Sequence, residues 1–269
     1  MIIASDHGEV RYFRMALTLF GRALYWTGVY VVDGLLIDSG PPNMRRHVAR
    51  VVDELGVRQC VTTHHHEDHS GNHELLNARG IAPLAHASGI ARMAAPRVND
   101  LYRRITWGMP APARVEALGE ELETPAHRFR VIHTPGHSDD HVALFEPDRG
   151  WLFTGDLYLA PRLKVLRDDE DVHAMIASLR RLVALAPAVV FCQHRGLVGD
   201  GAELLRRKLQ FLVELGGRIQ AMAERGLDEG EIARSLPGRD LMWRLWTGGH
   251  FAKRHFVRSF LRPAGAWAR

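Results

Sequence analysis

Histidine and aspartate are crowded into segment 63–72 of this sequence, in the order His64, His66, Asp68 and His69. Residues two apart at the end of a strand project to the same side, so we expect His64 and His66 to bind one ion together. If the chain then turns into a helix, Asp68 and His69 swing toward a second position. Imidazole nitrogens and carboxylate oxygens are suitable ligands for zinc and similar divalent metals. This pattern predicts a metal site.

Three more candidate ligands occur later in the chain, each directly after a predicted strand. They are His137 in His-Thr-Pro-Gly-His, Asp156 in Phe-Thr-Gly-Asp and His194 in Phe-Cys-Gln-His. Loops that follow strand ends are positions where binding and catalytic residues gather on a rigid scaffold. A purely structural role does not explain this coincidence, so we expect all seven residues to meet in one site.

Neighbouring polar residues are expected to support the site without ligating a metal. His65 and Glu67 lie between the candidate ligands and are predicted to face solvent or to contact the ligands from outside. Asp140 and His141 are candidates for hydrogen bonds to the ligands, because metal-bound imidazoles commonly donate their second N–H to a carboxylate or a carbonyl. Asp38 either braces the site or caps a turn.

Three features have a plain interpretation beside a functional one. Tyr158 places a phenol near the leaving group or is packed under a loop, and His133 is predicted to be a structural histidine. The basic run 206–208 is interpreted as the solvated face of a helix. The cluster around His250 either faces the active site or only decorates the last helix.

The elements that must position these residues follow from periodicity and from turn residues. Strands are predicted over 10–17, 25–32, 35–38, 58–62, 81–86, 129–133, 142–145, 151–153 and 188–192. Helices are predicted over 45–55, 171–185 and 203–223, followed by a start resembling a capping box at Asp228 and Glu231. Strands and helices in this order favour two β-layers covered by helices over a parallel doubly wound sheet.

Segment 88–115 interrupts this alternation and combines arginines with aromatic and apolar side chains. Long connections in compact domains are often functional lids or binding loops. We expect the segment to line the metal cleft together with the C-terminal helices around His250, with Trp107 and Met109 as a pocket wall. The alternative is that both side chains only seal the domain core.

From about Tyr12 to Gly199 the sequence resembles the metallo-β-lactamase superfamily, in the order and separation of these motifs. The resemblance implies an α+β fold, a four-layer αββα sandwich with a helical C-terminal extension. It also implies two divalent ions, zinc in cells with manganese or iron as alternatives, and a hydroxide between the metals as nucleophile. By the resemblance, the first ion is held by His64, His66 and His137, the second by Asp68, His69 and His194, and Asp156 bridges them.

Two ions about 3.5–4 Å apart can lower the pKa of a shared water and polarise a carbonyl or phosphoryl oxygen. Asp68 is the candidate catalytic residue, because it can orient the nucleophile and later relay a proton to the leaving group. Histidine at position 66, where the diiron oxygen-reducing members have glutamate, favours the hydrolytic members. The pattern predicts a hydrolase.

The substrate remains open among three interpretations. Thr63 to Asn72 is similar to glyoxalase II, which favours hydrolysis of a small acyl substrate, a thioester or a lactone. Gly136 to His141 resembles the lactamase-like endoribonucleases and the quinolone-signal thioesterases, so a single-strand-specific endoribonuclease is the alternative. The third is a non-enzymatic metal-binding or sensor protein. A small-molecule partner is favoured over nucleic acid.

Length and composition indicate the domain organisation and the cellular location. The chain has 269 residues, 46% hydrophobic and 25% charged, with a net charge of +4 and two cysteines. We predict a catalytic domain over 1–199 and a helical extension over 200–269 that packs on it. The sequence begins without a basic region followed by an apolar run, and no stretch approaches the roughly 20 apolar residues of a membrane span. We therefore expect a cytoplasmic protein without a membrane partner; its oligomeric state is left open.

Overall fold

The structure is a computed structural model that describes residues 1–19, 21–23 and 25–263. Its strands are β1 Ile2–His7, β2 Val10–Met15, β3 Thr18–Leu19, β4 Arg22–Ala23, β5 Thr27–Val32, β6 Leu35–Ile37, β7 Gln59–Val61, β8 Leu84–Ala85, β9 Glu116–Ala117, β10 Glu121–Glu123, β11 Arg128–His133, β12 Val142–Glu146, β13 Trp151–Phe153, β14 Leu166–Arg167, β15 Val189–Cys192, β16 Gly196–Val198 and β17 Phe251–Ala252. Its α-helices are α1 Arg45–Glu54, α2 Glu67–Ser70, α3 His73–Asn77, α4 Ile90–Ala94, α5 Leu101–Thr106, α6 Val172–Ala184, α7 Gly201–Glu224, α8 Glu229–Ser235, α9 Leu241–Trp246 and α10 Lys253–Leu261.

The strands form two large mixed sheets. The first has seven strands in the order β1-β2-β5-β6-β7-β8-β9, and the second has six in the order β10-β11-β12-β13-β15-β16. In the first sheet β6, β7, β8 and β9 run parallel, while β13 and β15 are a parallel pair in the second. Two short ribbons, β3-β4 and β14-β17, lie apart from these sheets. The mixed pairing confirms the prediction against a doubly wound parallel sheet.

Apolar side chains divide the molecule into layers. Between the sheets lies a core that includes Tyr30, Leu35, Phe129, Phe153 and Phe191. The outer face of the first sheet packs on α1 and α3, and the outer face of the second packs on α6 and α7. The helices α8 and α10 pack in turn on α7. This is the predicted α+β fold, a four-layer αββα sandwich with helices at the C-terminal end of the chain.

Local sequence signals explain the element boundaries. In α1 the predicted stripe of Val48, Val51 and Val52 is buried against the first sheet. At the start of α8, Asp228 accepts from the Glu231 amide while Glu231 accepts from the Asp228 amide, which confirms the predicted capping box. Segment 88–115 contains the short helices α4 and α5. The predicted strands omit β1, β3, β4, β9, β10, β14, β16 and β17, of which only β1 is longer than three residues.

The C-terminal helices pack on the rest of the molecule, since α7 and α10 both contact α6, and α10 also contacts β14. The division into residues 1–199 and 200–269 stays a prediction, and residues 264–269 lie outside the described part of the chain. Within the described residues, no helix has the length and apolar character needed to cross a membrane.

Candidate metal centre

The seven predicted ligands converge at one end of the sandwich. His64 and His66 follow β7, and Asp68 and His69 lie on α2 directly afterwards. The other three side chains come from the loops after β11, β13 and β15, which are His137, Asp156 and His194. Because these four strands end at the same edge, loops distant in sequence meet there. All seven residues are buried.

Three imidazoles form the first group around His66. The His66 Nδ1 atom lies 2.7 Å from His64 Nε2 and 3.0 Å from His137 Nε2. His137 Nε2 is also 3.4 Å from Oδ2 of Asp156. Three imidazole nitrogens and one carboxylate oxygen therefore face a common point, which is a donor set suited to a divalent ion.

A second group lies on the other side of Asp156. The Nε2 atoms of His69 and His194 are 3.5 Å and 3.4 Å from Oδ2 of Asp68. His69 Nε2 is also 3.4 Å from Oδ1 of Asp156. His194 Nε2 lies 3.0 Å from Oδ1 and 3.2 Å from Oδ2 of Asp156, and Oδ2 also contacts His137. The carboxylate therefore lies between the two groups.

Apart from His66, each candidate histidine ligand directs Nε2 into the centre, because its Nδ1 atom has another partner. His69 Nδ1 donates to Asp38 at 2.8 Å, and His194 Nδ1 donates to the Trp26 carbonyl at 2.5 Å. The remaining two contacts are His137 Nδ1 to Glu170 at 2.5 Å and His64 Nδ1 to Thr63 Oγ1 at 3.0 Å. Such partners fix the tautomer and the ring orientation of metal-binding histidines.

Two glycines let the ligand loops pack closely. A Cβ on Gly136, which has a φ of +142°, would lie 2.5 Å from the Met175 Cα on α6. A Cβ on Gly155, with a φ of +49°, would lie 2.4 Å from His141 Nε2. That His141 nitrogen accepts from the Asp156 amide at 3.1 Å. Glycine is therefore required where the chain turns toward His137 and Asp156.

The electrostatics of the centre match a cation site. Burial holds the pKa of His64 well below its usual range, so this imidazole is neutral and able to bind a metal at pH 7. Burial alone would also lower the pKa of His69, but Asp68 and Asp156 outweigh it and raise that pKa well above the usual value. His69 Nε2 is buried and has no hydrogen-bond partner among the described residues. A cation would supply the missing partner.

A cavity of about 480 Å³ opens over this centre. One wall comes from the predicted segment, through Tyr102, Arg103 and Trp107, and another from the C-terminal part of the chain, through Trp243 and Trp246. The expectation that segment 88–115 lines the cleft with the C-terminal helices is confirmed. Met109 is an error in that prediction, since it is 49% exposed and does not line the cavity.

The supporting residues have mixed outcomes. Of the two interpretations of Asp38, the structure supports the bracing role, because its carboxylate contacts His69. His141 accepts from the Asp156 amide. Asp140 instead contacts His65, at 2.9 Å between Oδ1 and Nδ1, and touches no candidate ligand within the described contacts. Glu67 is buried against Arg103 of α5, with 2.6 Å between Oε2 and Nη2, so of its two predicted placements the solvent-facing one is wrong.

The structural interpretation is correct for Tyr158 and His133, and the predicted exposure is wrong for Lys208. Tyr158 is 1% exposed within the helix-covered core, and the ring of His133 stacks on His86 away from the centre. Lys208 is fully buried although it belongs to the basic run 206–208. Its ammonium donates to the Leu157 carbonyl at 2.5 Å, and burial lowers its pKa to about 8. The predicted solvated face therefore excludes Lys208.

Two charged residues beside the centre were missed from the sequence. Glu170 contacts His137, and the Arg167 guanidinium lies 3.1 Å from His66 Nδ1. Both belong to the acidic stretch 167–170, which resembles an ordinary surface loop in sequence. The only sequence feature that could have drawn attention to this stretch is its position immediately before the predicted helix 171–185.

Residues 29–194 match the profile of the family described as the metallo-beta-lactamase superfamily. The chain belongs to the metallo-beta-lactamase superfamily. All seven predicted ligands lie within the matched residues. The His/Asp cluster that these residues form is suited to divalent metal binding.

Curated relatives include hydroxyacylglutathione hydrolases from two organisms. That of Cereibacter sphaeroides (strain ATCC 17029 / ATH 2.4.9) is 33% identical over 58% of this chain and 55% of its own length. That of Legionella pneumophila (strain Paris) is 25% identical over 67% of this chain and 65% of its own length. The chain therefore spans less than two thirds of the length of these relatives.

Solved structures share the fold. A beta-lactamase domain protein from Burkholderia ambifaria superposes with a TM-score of 0.71 at 18% identity, covering 96% of this chain and 89% of that protein. A metallo-beta-lactamase from Pontibacter korlensis has a TM-score of 0.62 at 20% identity, covering 78% of this chain and 98% of that one. At these identities the likeness shows the fold alone.

Proposed function

We propose that this chain is a dinuclear zinc hydrolase that cleaves a small acyl substrate, a thioester or a lactone. The observation that carries the proposal is the division of the donors into two groups, with the Asp156 carboxylate between His137 of the first group and His69 and His194 of the second. In this proposal the first ion is held by His64, His66 and His137, the second by Asp68, His69 and His194, with Asp156 bridging them.

The bound ions would supply an activated water and polarise the acyl carbonyl. The chain itself contributes the orientation of the ligands and the handling of a proton. Asp68 is placed for that second task, because it lines the cavity and its carboxylate lies 3.4 Å from His194 Nε2. Burial acts to raise the pKa of Asp68, but His69 and His194 outweigh it and lower that pKa, so the carboxylate is ionised.

The cavity supports a small acyl substrate. Its volume of about 480 Å³ is within the usual range for sites that enclose a small molecule, and indole and phenyl rings form much of its wall. The relatives named hydroxyacylglutathione hydrolase support thioester cleavage, since the name describes an acyl group carried by glutathione.

Metal analysis and a substrate screen test the proposal. Protein stripped with a chelator and reconstituted with zinc should contain two ions per chain and hydrolyse thioesters or lactones, with phosphodiesters, β-lactams and RNA assayed beside them. Stripping should abolish the activity and zinc should restore it. One ion or fewer per chain would contradict the dinuclear assignment, and turnover of RNA alone would select the endoribonuclease.

A matched pair of histidine variants links the activity to the site. His137→Ala removes a proposed ligand and should lower both zinc content and rate. His133→Ala removes an exposed imidazole from the same segment and should leave both unchanged. Full zinc content without turnover of any substrate would support a metal-binding or sensor protein.

A further inference from the structure

Arg167 is a buried arginine whose guanidinium points toward the metal centre. It is 4% exposed, lines the cavity, and its Nη1 atom lies 3.1 Å from Nδ1 of His66. The same nitrogen is where His64 Nε2 and His137 Nε2 converge. The guanidinium is therefore next to the proposed first ion, on the side that opens to the cavity.

The other nitrogens of this guanidinium are held by Asp169. Arg167 Nε donates to Asp169 Oδ1 at 2.8 Å, and Nη2 donates to Oδ2 at 2.7 Å. A bidentate pair of this kind fixes the plane of the guanidinium. Only Nη1 then remains directed at the centre, and its sole acceptor among the described residues is the His66 nitrogen.

That acceptor is lost when His66 binds a metal, because the same lone pair cannot serve both. The Nη1 donor would then be buried without a partner, which is costly for a charged group. An oxygen atom of a ligand bound at the first ion would satisfy it. The geometry thus leaves a place for a negatively charged oxygen beside the metal.

We propose that Arg167 binds the acyl oxygen of the substrate and stabilises the negative charge that develops on it during hydrolysis. The inference rests on the proposed function. As the oxygen of water bonds to the acyl carbon, the carbonyl π pair moves onto the acyl oxygen, where Nη1–H donates to it. Return of that pair breaks the C–S bond, and the leaving thiolate takes one of the two protons of the attacking water. The other proton is released to solvent, so a carboxylate product remains in the same place.

The fold builds this position from distant parts of the chain. Arg167 ends β14, and β14 pairs with β17 so that Arg167 lies opposite Phe251. His250 lies next to that strand and contacts Asp168 through Nε2. Its Nδ1 atom is hydrogen-bonded to the hydroxyl of Tyr102 on α5, at 2.7 Å. The C-terminal segment and α5 therefore hold the loop that orients the guanidinium.

Three readouts on zinc-loaded protein test the role, using the variant Arg167→Gln. Removing a donor to a developing oxyanion typically lowers kcat by about 100- to 1000-fold, so we expect such a fall with KM within about threefold of wild type by the same reasoning. Zinc content should stay at the wild-type value. Binding of benzoate, a probe for the carboxylate product, should weaken about tenfold or more in calorimetry, since a charge-assisted hydrogen bond is lost.

Arg79→Gln is the matched control, because Arg79 makes the same kind of bidentate pair, with Asp53, and neither lines the cavity nor contacts the centre among the described residues. It should keep near wild-type kcat and benzoate affinity. Asp169→Asn changes a half-exposed residue, so it tests the orientation of the guanidinium with less demand on folding. It should give a smaller loss of kcat and of benzoate binding than Arg167→Gln.

Wild-type kcat and benzoate affinity in Arg167→Gln and in Asp169→Asn, at full zinc content, would overturn the proposal. So would a loss of zinc in parallel with rate, leaving the rate per bound zinc unchanged. If wild-type protein hydrolyses no thioester or lactone, the proposed function fails, and the benzoate measurement still decides whether Arg167 binds an anionic oxygen.

Discussion

Replacing Asp38 by asparagine should weaken the second metal position without disturbing the backbone. Asp38 has a φ of +62°, a left-handed conformation that asparagine tolerates as well as aspartate does. The aspartate accepts from the Thr63 amide at 2.7 Å through Oδ1 and from His69 Nδ1 at 2.8 Å through Oδ2. An asparagine side chain has one acceptor oxygen, so it cannot serve both donors.

The magnitude follows from that conflict. If the amide oxygen stays on Thr63, the amide NH2 faces His69 Nδ1, and the imidazole must move its proton to Nε2, which then cannot bind a metal. If the side chain flips, the Thr63 amide loses its acceptor at a cost of about 1–3 kcal/mol. Loss of such a supporting partner typically lowers metal affinity 10- to 100-fold, or about 1.4–2.8 kcal/mol.

Zinc titration against a competing chelator dye, fitted to two sites, measures this effect. We expect the weaker of the two dissociation constants to rise 10- to 100-fold in Asp38→Asn. Asp33→Asn is the matched control, because Asp33 is also left-handed, with a φ of +47°, and its carboxylate accepts from the Ala126 amide and touches no candidate ligand within the described contacts. Two unchanged zinc affinities in Asp38→Asn would refute the reasoning.

Three further predictions concern catalysis, the cavity wall and pH. Asp68→Ala should lower the rate by at least about 100-fold while leaving the first position partly loaded, and full zinc with a near-normal rate would show that Asp68 is misplaced. Trp107→Ala should raise KM, because Trp107 lines the cavity edge-on to Tyr25. Unchanged kinetics with a loss of about 3–5 kcal/mol in the free energy of unfolding would assign Trp107 to the core instead. Burial lowers the pKa of His73 to about 3, below its unfolded value near 6.5, so its contribution to stability is full above pH 6.5 and falls as the pH drops toward 3. In urea unfolding, His73→Asn should therefore flatten the pH dependence of stability below pH 6 by up to about 1.4 kcal/mol per pH unit, and an unchanged slope would contradict this.

The candidate ligands could be predicted because each is adjacent to a strong local signal. His137 and Asp156 follow apolar strands and glycine turns, and segment 63–72 directly follows the predicted strand 58–62. Arg167 and Glu170 lack such a signal. Their proximity to the centre depends on the pairing of β14 with β17, and a two-residue pairing between distant parts of a chain leaves no periodicity to detect.

Lys208 shows where a signal was present and was misread. Consecutive helical residues point about 100° apart, so a run of three basic residues cannot all occupy one face. Leu205, Lys208 and Leu212 share a face at the spacing of i, i+3 and i+7, and all three are fully buried. The apolar neighbours on that face therefore predicted burial of Lys208 better than its own charge predicted exposure.

The helix α9 has a consequence for how this protein can change over evolution. None of its six residues is buried in the described structure, yet Trp243 and Trp246 form part of the cavity wall. Substitutions at exposed positions usually alter stability by no more than about 0.5 kcal/mol. Substitutions in α9 can therefore change the selectivity of the cavity while the ligand loops and the core stay intact. A mutational library confined to 241–246 would test new substrates at little risk to folding.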